Sequence, residues 1–149
     1  IRLRAIGRIE LLPKYVRARL DRCVDRLSKN DGLLLTLALS YGGRSEIVDA
    51  VRAAADSVRR GETSATALDE VSFRRFLYAP DLPDPDLLIR TSGEMRVSNF
   101  LLWQIAYTEI HITDTLWPDF RKGDLFAAIA EYQTRERRFG RVSERTTDR

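Results

Sequence analysis

The sequence predicts an α/β fold with a mostly parallel central sheet flanked by helices. Segments of strand length alternate along the chain with segments whose apolar residues recur at helical spacing, an order typical of parallel sheets. The most apolar strand segment, Leu33–Leu39, is a nearly continuous run, which indicates a strand buried on both faces. The chain has 149 residues, the size of one domain, so we expect a single α/β domain over residues 1–140 and a polar tail over residues 141–149.

The first part of the chain predicts a strand and a helix. Ile1–Ile6 alternates apolar and basic residues and is stopped by Gly7, which is the pattern of a short strand. From Pro13, which suits the first turn of a helix, apolar residues recur every three or four positions. This helix is expected to end before the turn residues Asn30–Gly32.

The middle of the chain predicts a second strand and two helices. After the strand at Leu33–Leu39, Ser45 is expected to cap a helix that Gly61 closes. A shorter helix is expected around Val71–Leu77. The prolines that begin at Pro80 exclude regular helix beyond it, because proline lacks the backbone donor that a helix needs.

The last part of the chain predicts two further strands, each followed by a helix. Leu87–Ile89 and the apolar stretch around Glu109–Thr113 have the length and composition of strands. A helix is expected to start within Ser98–Trp103, capped by its first residues, and an amphipathic helix is expected over Asp124–Phe139. Helices between the strands are the crossover connections that parallel strands require.

Composition excludes several classes of protein. Hydrophobic residues make up 44% and charged residues 32% of the chain, as in a soluble globular protein. No apolar run reaches the ~18 residues of a membrane span, so we expect no transmembrane segment. One cysteine, Cys23, and one histidine, His111, exclude an internal disulfide framework and a Cys/His zinc cluster, and favour a reducing, cytoplasmic location.

Arginine dominates the positive charge, since 22 of the 25 basic residues are arginines while the net charge is only +3. A mild net charge without a ladder of basic and aromatic residues does not indicate a nucleic-acid binder. The arginine excess has two interpretations. It reflects a composition bias, or some arginines bind an anionic ligand, because the guanidinium fork matches phosphate oxygens two at a time.

The strongest candidate for anion binding follows the third predicted strand. In open α/β sheets, ligands bind beyond the carboxyl ends of the strands. Residues 90–99 follow such an end and carry Arg90 and Arg96, hydroxyl side chains and a glycine, before a predicted helix N-terminus. This pattern predicts a pyrophosphate cradle. The alternative is a capped loop whose arginines pair with Glu94 or Asp86.

Glu109 is a candidate metal ligand that lies among apolar residues. A carboxylate in that position is a partner for a buried arginine, a hard-cation ligand suited to Mg²⁺, or an exposed side chain on an edge strand. His111, two residues on, shares a strand face with Glu109. A single histidine without a second ligand is expected to be structural.

Four ordered blocks of the sequence resemble the cis-prenyltransferases, the undecaprenyl diphosphate synthase family. The most specific block is Asp86–Phe120, which reads DLLIRTSGEMRVSNFLLWQIAYTEIHITDTLWPDF. The others are Leu3–Gly7, Ser40–Arg44 with the helix that follows it, and Arg137–Gly140. The resemblance covers essentially the whole chain and implies an undecaprenyl diphosphate synthase-like fold, here without the family's N-terminal strand and first motif.

The resemblance implies a prenyl-transferring enzyme of isoprenoid biosynthesis. Such an enzyme uses Mg²⁺ to condense isopentenyl diphosphate with an allylic diphosphate into a polyprenyl diphosphate. The resemblance assigns the diphosphate of isopentenyl diphosphate to Arg90, Arg96 and Ser98. It places the backbone N–H of Val97 between them and assigns Glu109 to the Mg²⁺ site.

Departures from the family pattern limit what this chain is expected to do alone. The family's Asp-Gly-Asn motif, which binds the allylic diphosphate and supplies a metal-binding aspartate, does not occur in the sequence. We therefore expect the C-terminal portion of a longer enzyme, inactive alone, with the catalytic residues in the missing part. The alternatives are a non-catalytic partner subunit of a prenyltransferase complex and a phosphate-binding module with another activity.

The resemblance also carries expectations beyond the binding residues. Tyr41 and Arg44 are assigned to the rim of the same site, whereas Met95 stands where the family usually has Gln or His. The family forms homodimers, and the aromatic region Ala106–Trp117 is a candidate interface. We further expect a cytoplasmic protein whose contact with membranes is only peripheral.

Overall fold

The structure is a computed structural model that describes residues Ile1–Arg135, and it confirms an α/β fold with parallel strands. The strands are β1 (Arg2–Ile6), β2 (Leu34–Ala38), β3 (Leu87–Arg90) and β4 (Glu109–Ile112). The helices are α1 (Lys14–Leu27), α2 (Gly43–Arg59), α3 (Glu70–Phe73) and α4 (Lys122–Thr134). Short 3₁₀ turns occur at Ile9–Leu11, Ala65–Ala67, Arg74–Phe76 and Trp117–Asp119. Within residues 1–135, β1 pairs with β2 and β3 pairs with β4.

The chain groups into two compact units. The first contains Ile1–Pro83 and Ser98–Trp103, and the second contains Asp84–Val97 and the chain from Gln104 onward. The β1–β2 pair therefore belongs to the first unit and the β3–β4 pair to the second. A single domain over residues 1–140 stays a prediction. The expected polar tail and the RRFG block lie outside the described residues.

β1 and β2 form a parallel pair in register over all five residues of each strand. Both strands were predicted to within one residue at each end. Ile6 is buried, whereas Leu35 and Leu37 remain 45% and 36% exposed. The expectation that β2 is buried on both faces is therefore wrong for the described chain. A continuous apolar run indicates a strand, but it does not fix which faces are covered.

α2 begins earlier than the sequence predicts. Its first residue is Gly43, and the predicted cap Ser45 lies inside the helix. The backbone and side-chain oxygens of Asn99 accept the first two amides of the helix, so a local capping side chain is not required. The other end was predicted correctly, because Gly61 follows the helix with a left-handed φ of 72°.

The helix predicted to start within Ser98–Trp103 does not form in the described chain, and this segment makes turns instead. Ser98, Asn99 and Leu101 have φ angles of 47°, 61° and 45°. Residues with this left-handed backbone do not continue a right-handed helix. The prediction was wrong because Ser and Asn are common helix caps, whereas here contacts with the start of α2 hold them in a left-handed turn. The candidate anion site therefore lacks the helix N-terminus that its sequence predicted.

β3 and β4 form the parallel pair of the second unit, and both were predicted from their apolar runs. Leu87 lies opposite Glu109, and Arg90 lies opposite Ile112. Parallel strands point the same way, so the loops after Arg90 and after Ile112 leave the pair at the same end. This end carries the candidate site.

The two remaining helical predictions are confirmed with shifted ends. α3 and the 3₁₀ turn Arg74–Phe76 cover the helix predicted around Val71–Leu77. α4 begins two residues before the predicted Asp124, whose carboxylate accepts the Arg121 amide at 2.7 Å. The predicted end of this helix, Phe139, lies outside the described residues. No helix among residues 1–135 is both long enough and apolar enough to cross a membrane.

Candidate functional site

A cleft of about 300 Å³ lies in the second unit, beyond the carboxyl end of β3. Three residues that the sequence assigned to diphosphate binding line it: Arg90, Arg96 and Val97. Its other lining residues are Leu88, Glu94, Met95, Ile110 and Ile112. The sequence rule that ligands bind beyond the ends of parallel strands therefore identified a real concavity, with cations along one part and apolar side chains along another.

The two arginines of this cleft converge on one carboxylate. Arg96 forms an ion pair with Glu94, and Arg90 Nη2 lies 3.6 Å from the same Glu94 oxygen. This pairing is the alternative that the sequence left open. It also demonstrates that both guanidinium groups reach a common anion, which is the geometry that a diphosphate needs. The shared Glu94 oxygen is buried, but the Arg90 and Arg96 side chains remain 34% and 69% exposed, so a ligand of higher charge is able to reach them and compete with Glu94.

A tight turn shapes the rim of the cleft. The Ser92 amide donates to Thr115 O at 3.0 Å, and the Gly93 amide donates to Thr113 O at 2.9 Å. Gly93 has a φ of 64°, and a Cβ atom there would lie 2.7 Å from Asp114 Oδ1. The left-handed backbone favours glycine at this position, whereas the Asp114 side chain could move to make room for a Cβ atom. The loop after β3 is thus fixed to the chain that follows β4.

Glu109, the predicted metal ligand, is not brought to the arginine pair. It lies opposite Leu87 at the start of β4, whereas Arg90 is the last residue of β3. Three residues of extended strand separate these positions, about 10 Å along the pair. Glu109 Oε2 accepts a hydrogen bond from Arg135 Nη1 at 2.9 Å. Of the roles that the sequence allowed for Glu109, the structure shows that of a hydrogen-bond partner for an arginine.

His111 belongs to the same network, which joins β4 to the end of α4. Its Nδ1 lies 2.6 Å from Glu131 Oε2, and Glu131 also pairs with Arg135. The Arg135 guanidinium, with a smaller contribution from His111, holds the pKa of Glu131 below its ordinary value. The structural role expected of His111 stays a prediction.

The described chain contains no preformed cage of protein ligands for a metal ion. Among residues 1–135, no group of three or more His, Cys, Asp and Glu side chains is arranged to hold a metal ion. Mg²⁺ is nevertheless often bound by one or two carboxylates together with substrate phosphates. Glu109 has the donor chemistry for that shared mode, since its carboxylate offers hard oxygen atoms.

Tyr41, Arg44 and Ser98 lie in the first unit. The Tyr41 hydroxyl donates to the carboxylate of Glu46, which is fully buried and also accepts the Tyr78 amide at 2.9 Å. Burial, together with the bond to Glu46, raises the pKa of the Tyr41 phenol well above its ordinary value. Sequence reasoning missed Glu46. Its signal was a carboxylate on the inner face of the helix after the Ser40–Arg44 block.

A larger cleft of about 470 Å³ is lined by residues of β1 and α1 in the first unit. None of the predicted site residues lines it. Its residue Arg4 already binds Asp81 through two hydrogen bonds of 2.7 Å. The cleft therefore contains one arginine that is already paired with a carboxylate and none of the residues assigned to diphosphate binding.

Comparison with known proteins decides the family. The family model for undecaprenyl diphosphate synthase matches residues 1–140. An isoprenyl transferase from Heliobacterium mobile is 51% identical to this chain over 142 residues, which are 95% of this chain and 55% of that protein. The chain belongs to the undecaprenyl diphosphate synthase family. The resemblance carried by the four sequence blocks is therefore confirmed.

Further members of the undecaprenyl diphosphate synthase family agree in extent. A tritrans,polycis-undecaprenyl-diphosphate synthase (geranylgeranyl-diphosphate specific) from Methanopyrus kandleri is 50% identical over 141 residues, 95% of this chain and 52% of that protein. The crystal structure of lavandulyl diphosphate synthase from Lavandula x intermedia, in complex with dimethylallyl diphosphate, superposes with a TM-score of 0.91 at 39% identity. The match covers 94% of this chain and 60% of that one. The chain thus spans little more than half the length of these relatives.

Proposed function

We propose that this chain provides the isopentenyl diphosphate-binding part of a cis-prenyltransferase. Such an enzyme condenses isopentenyl diphosphate with an allylic diphosphate into a polyprenyl diphosphate. The observation that carries the proposal is the convergence of Arg90 and Arg96 on one carboxylate oxygen in the cleft beyond β3. Two guanidinium groups around one anion suit a diphosphate. Membership of the undecaprenyl diphosphate synthase family supports the substrate class.

The cleft divides the proposed substrate into a charged end and a hydrocarbon end. Arg90 and Arg96 donate to the diphosphate oxygens, and the diphosphate displaces Glu94. The Val97 N–H and the hydroxyl of Ser98, the next residue in the chain, donate further hydrogen bonds. The five-carbon portion meets the apolar side chains of the cleft, which are Leu88, Ile110 and Ile112.

The proposed cofactor is Mg²⁺, with Glu109 as a ligand supplied by this chain. Mg²⁺ bound there would supply positive charge to offset the negative charge that develops on the diphosphate leaving group. Glu109 offers a carboxylate oxygen, while its bond from Arg135 keeps the side chain oriented. In this scheme the residues of the chain orient the Glu109 carboxylate and bind isopentenyl diphosphate.

The proposed reaction forms one carbon–carbon bond. The double bond of isopentenyl diphosphate attacks the allylic carbon, the allylic carbon–oxygen bond breaks, diphosphate leaves, and a proton is lost from the isopentenyl unit. Arg90 and Arg96 hold and orient the nucleophilic substrate and do not take up the proton. We propose that turnover requires residues beyond this chain, because its sequence contains no Asp-Gly-Asn motif. Product formation by this chain alone would contradict that part of the proposal.

The test is titration calorimetry of isopentenyl diphosphate into the chain and into Arg96→Ala. Removing one charge-assisted contact worth ~1.5–3 kcal/mol should weaken binding about tenfold or more. Arg59→Ala is the matched control, because Arg59 is likewise exposed and pairs with a nearby acid, Asp56, at 3.0 Å. Equal affinity of the wild type and Arg96→Ala would refute the assignment.

A second copy of this chain is the proposed partner, in the cytoplasm and with only peripheral membrane contact. The observation in favour is the exposure of Tyr107 and Trp117, at 72% and 73%, in the aromatic region that the sequence singled out. Large exposed aromatic side chains are enriched at protein interfaces. The exposed, free Cys23 suits a reducing compartment. Sedimentation equilibrium tests the partner, and a monomer mass at micromolar concentration would exclude it.

A further inference from the structure

Asn99 joins two segments that are 55 residues apart in the chain. Its backbone oxygen accepts the Gly43 amide at 2.7 Å, and its side-chain Oδ1 accepts the Arg44 amide at 2.9 Å. These are the first two amides of α2, which follows Gly42, a residue without a side chain. The first four amides of a helix have no partner within the helix. Asn99 therefore provides, from a distant segment, the acceptor oxygens that a local capping residue provides in other helices.

Two glycines allow this close approach. A Cβ atom on Gly42 would lie 2.8 Å from Asn99 Nδ2. A Cβ atom on Gly43 would lie 2.8 Å from Leu102 Cγ and 3.0 Å from Leu102 N. The nearest atoms at Gly43 include backbone, which does not move aside cheaply. The Gly42-Gly43 pair is thus a requirement of the contact with the segment around Asn99.

The contact holds a turn that local preference alone does not stabilise. Ser98, Asn99 and Leu101 all have left-handed φ angles between 45° and 61°. Such conformations are costly for residues other than glycine and persist only where the surroundings enforce them. The Tyr41 ring lies edge-on to the Phe100 ring, with 5.7 Å between ring centroids. The two Asn99 hydrogen bonds and this ring contact attach the turn to the start of α2.

We propose that Asn99 is a positioning residue for Ser98. By capping α2 it holds the left-handed turn, and the turn sets the direction of the Ser98 hydroxyl. The inference rests on the proposed function, in which Ser98 binds the diphosphate of isopentenyl diphosphate. Asn99 acts through the turn, since both of its capping bonds are made to α2.

Two substitutions at Asn99 separate the side-chain bond from the backbone conformation. Asn99→Gly removes Oδ1 but keeps a residue that adopts a left-handed φ easily. Asn99→Asp keeps an acceptor oxygen in place and also tolerates that φ. In Asn99→Gly we expect the Arg44 amide to exchange with solvent about three- to tenfold faster and the Ser98 amide order parameter to fall. Isopentenyl diphosphate should bind about three- to tenfold more weakly, and Asn99→Asp should restore all three values.

Gly43→Ala tests the same contact from the other side. We expect it to reproduce the loss of affinity, because its Cβ collides with Leu102. Gly123→Ala is the matched control, since a Cβ on Gly123, in the first turn of α4, meets nothing within 4 Å. Circular dichroism checks that each variant folds. If Asn99→Gly does not fold, Asn99→Ser, with its shorter side chain, takes its place.

The outcomes distinguish this inference from the proposed function. Wild-type exchange at Arg44 in Asn99→Gly would overturn the capping role. Faster exchange with unchanged affinity for isopentenyl diphosphate would overturn the positioning role. If the wild-type chain binds no isopentenyl diphosphate, the proposed function fails, whereas the exchange and order-parameter results still decide whether Asn99 holds the Ser98 turn.

Discussion

Two carboxylates, Glu46 and Glu94, follow the carboxyl ends of strands in different units of the chain. Glu46 comes after β2, is fully buried, and accepts hydrogen bonds from the Tyr41 hydroxyl and the Tyr78 amide. Glu94 comes after β3, keeps one third of its side chain exposed, and faces the two arginines of the cleft. The same chemical group is an internal support in one unit and a counter-ion in the other.

The difference lies in what each carboxylate leaves behind when it is removed. Around Glu46, both donors make part-buried hydrogen bonds, so losing the carboxylate leaves N–H and O–H groups with restricted access to water and without an acceptor. Around Glu94, the arginines are partly solvated, and water or another anion takes its place at little cost. A buried carboxylate with neutral donors is therefore expected to determine stability, and a solvated one between cations is expected to determine ligand affinity.

The largest expected effect comes from Glu46→Ala. Leaving the Tyr41 hydroxyl and the Tyr78 amide without their acceptor should lower the free energy of unfolding by ~1–3 kcal/mol for each donor. Urea denaturation followed by circular dichroism measures it. Glu10→Ala is the control, because Glu10 is exposed and its loss should change stability by less than ~0.5 kcal/mol. Equal effects of the two substitutions would remove the contrast between Glu46 and the solvated carboxylates.

Glu94→Gln is expected to have a smaller effect, which is a gain in ligand affinity and not a loss of stability. The substitution removes the anion that competes for Arg90 and Arg96 but keeps the shape of the side chain. Isopentenyl diphosphate should bind about fivefold more tightly, since solvent-exposed ion pairs are worth ~1 kcal/mol or less. Titration calorimetry measures the change, with the unfolding free energy nearly constant.

Glu62→Gln is the control for this prediction. Glu62 accepts two hydrogen bonds from Arg60, at 2.7 and 2.9 Å, in the first unit. Its substitution also removes an ion pair with arginine, but it should leave the affinity for isopentenyl diphosphate unchanged. Weaker binding in Glu94→Gln would mean that Glu94 supports the ligand and is not its competitor.

The sequence predicted most of the secondary structure because hydrophobic periodicity is a local property. Among residues 1–135, the strands lie where alternation or apolar runs predicted them, and the helices that form differ from the predictions mainly at their ends. The errors arose where a distant segment decides the conformation. Ser98-Asn99 reads as a helix cap, yet its partner is the start of α2. Likewise, an apolar run does not record that Leu35 and Leu37 face an uncovered side of β2.

The sequence could place together only those site residues that lie close to one another in the chain. Arg90, Arg96 and Val97 lie within eight residues at the end of one strand, so the rule for parallel sheets places them together. Glu109 lies on the neighbouring strand, β4. Its distance from Arg90 along the strand pair depends on the register between β3 and β4. Register depends on pairing between distant segments, which neither strand's own sequence specifies. The burial of Glu46 depends in the same way on Tyr78, 32 residues further along the chain.

The smallest expected effect tests Asp49, which combines features of both carboxylates. It lies in the first unit, like Glu46, but is held by a cation, because Arg8 donates to it at 2.9 and 3.0 Å. The Arg8 hydrogen bonds, supported by the Tyr78 hydroxyl, lower the pKa of Asp49 from 3.8 to about 2. A lowered native pKa means that Asp49 stabilises the fold above the unfolded pKa and loses this contribution as the pH falls through the native value.

Urea denaturation at pH 5, 4, 3 and 2.5 measures this contribution for the wild type and for Asp49→Asn. The wild type should lose ~0.5–1 kcal/mol more of its free energy of unfolding over this range, a figure reduced for the partial solvent exposure of the pair. Asp49→Asn should show only the loss that the other carboxylates cause. Parallel pH profiles for the two proteins would place Asp49 with the weak, solvated ion pairs of the surface. A clear difference would place it between Glu46 and Glu94, as a cation-paired carboxylate that still supports the fold.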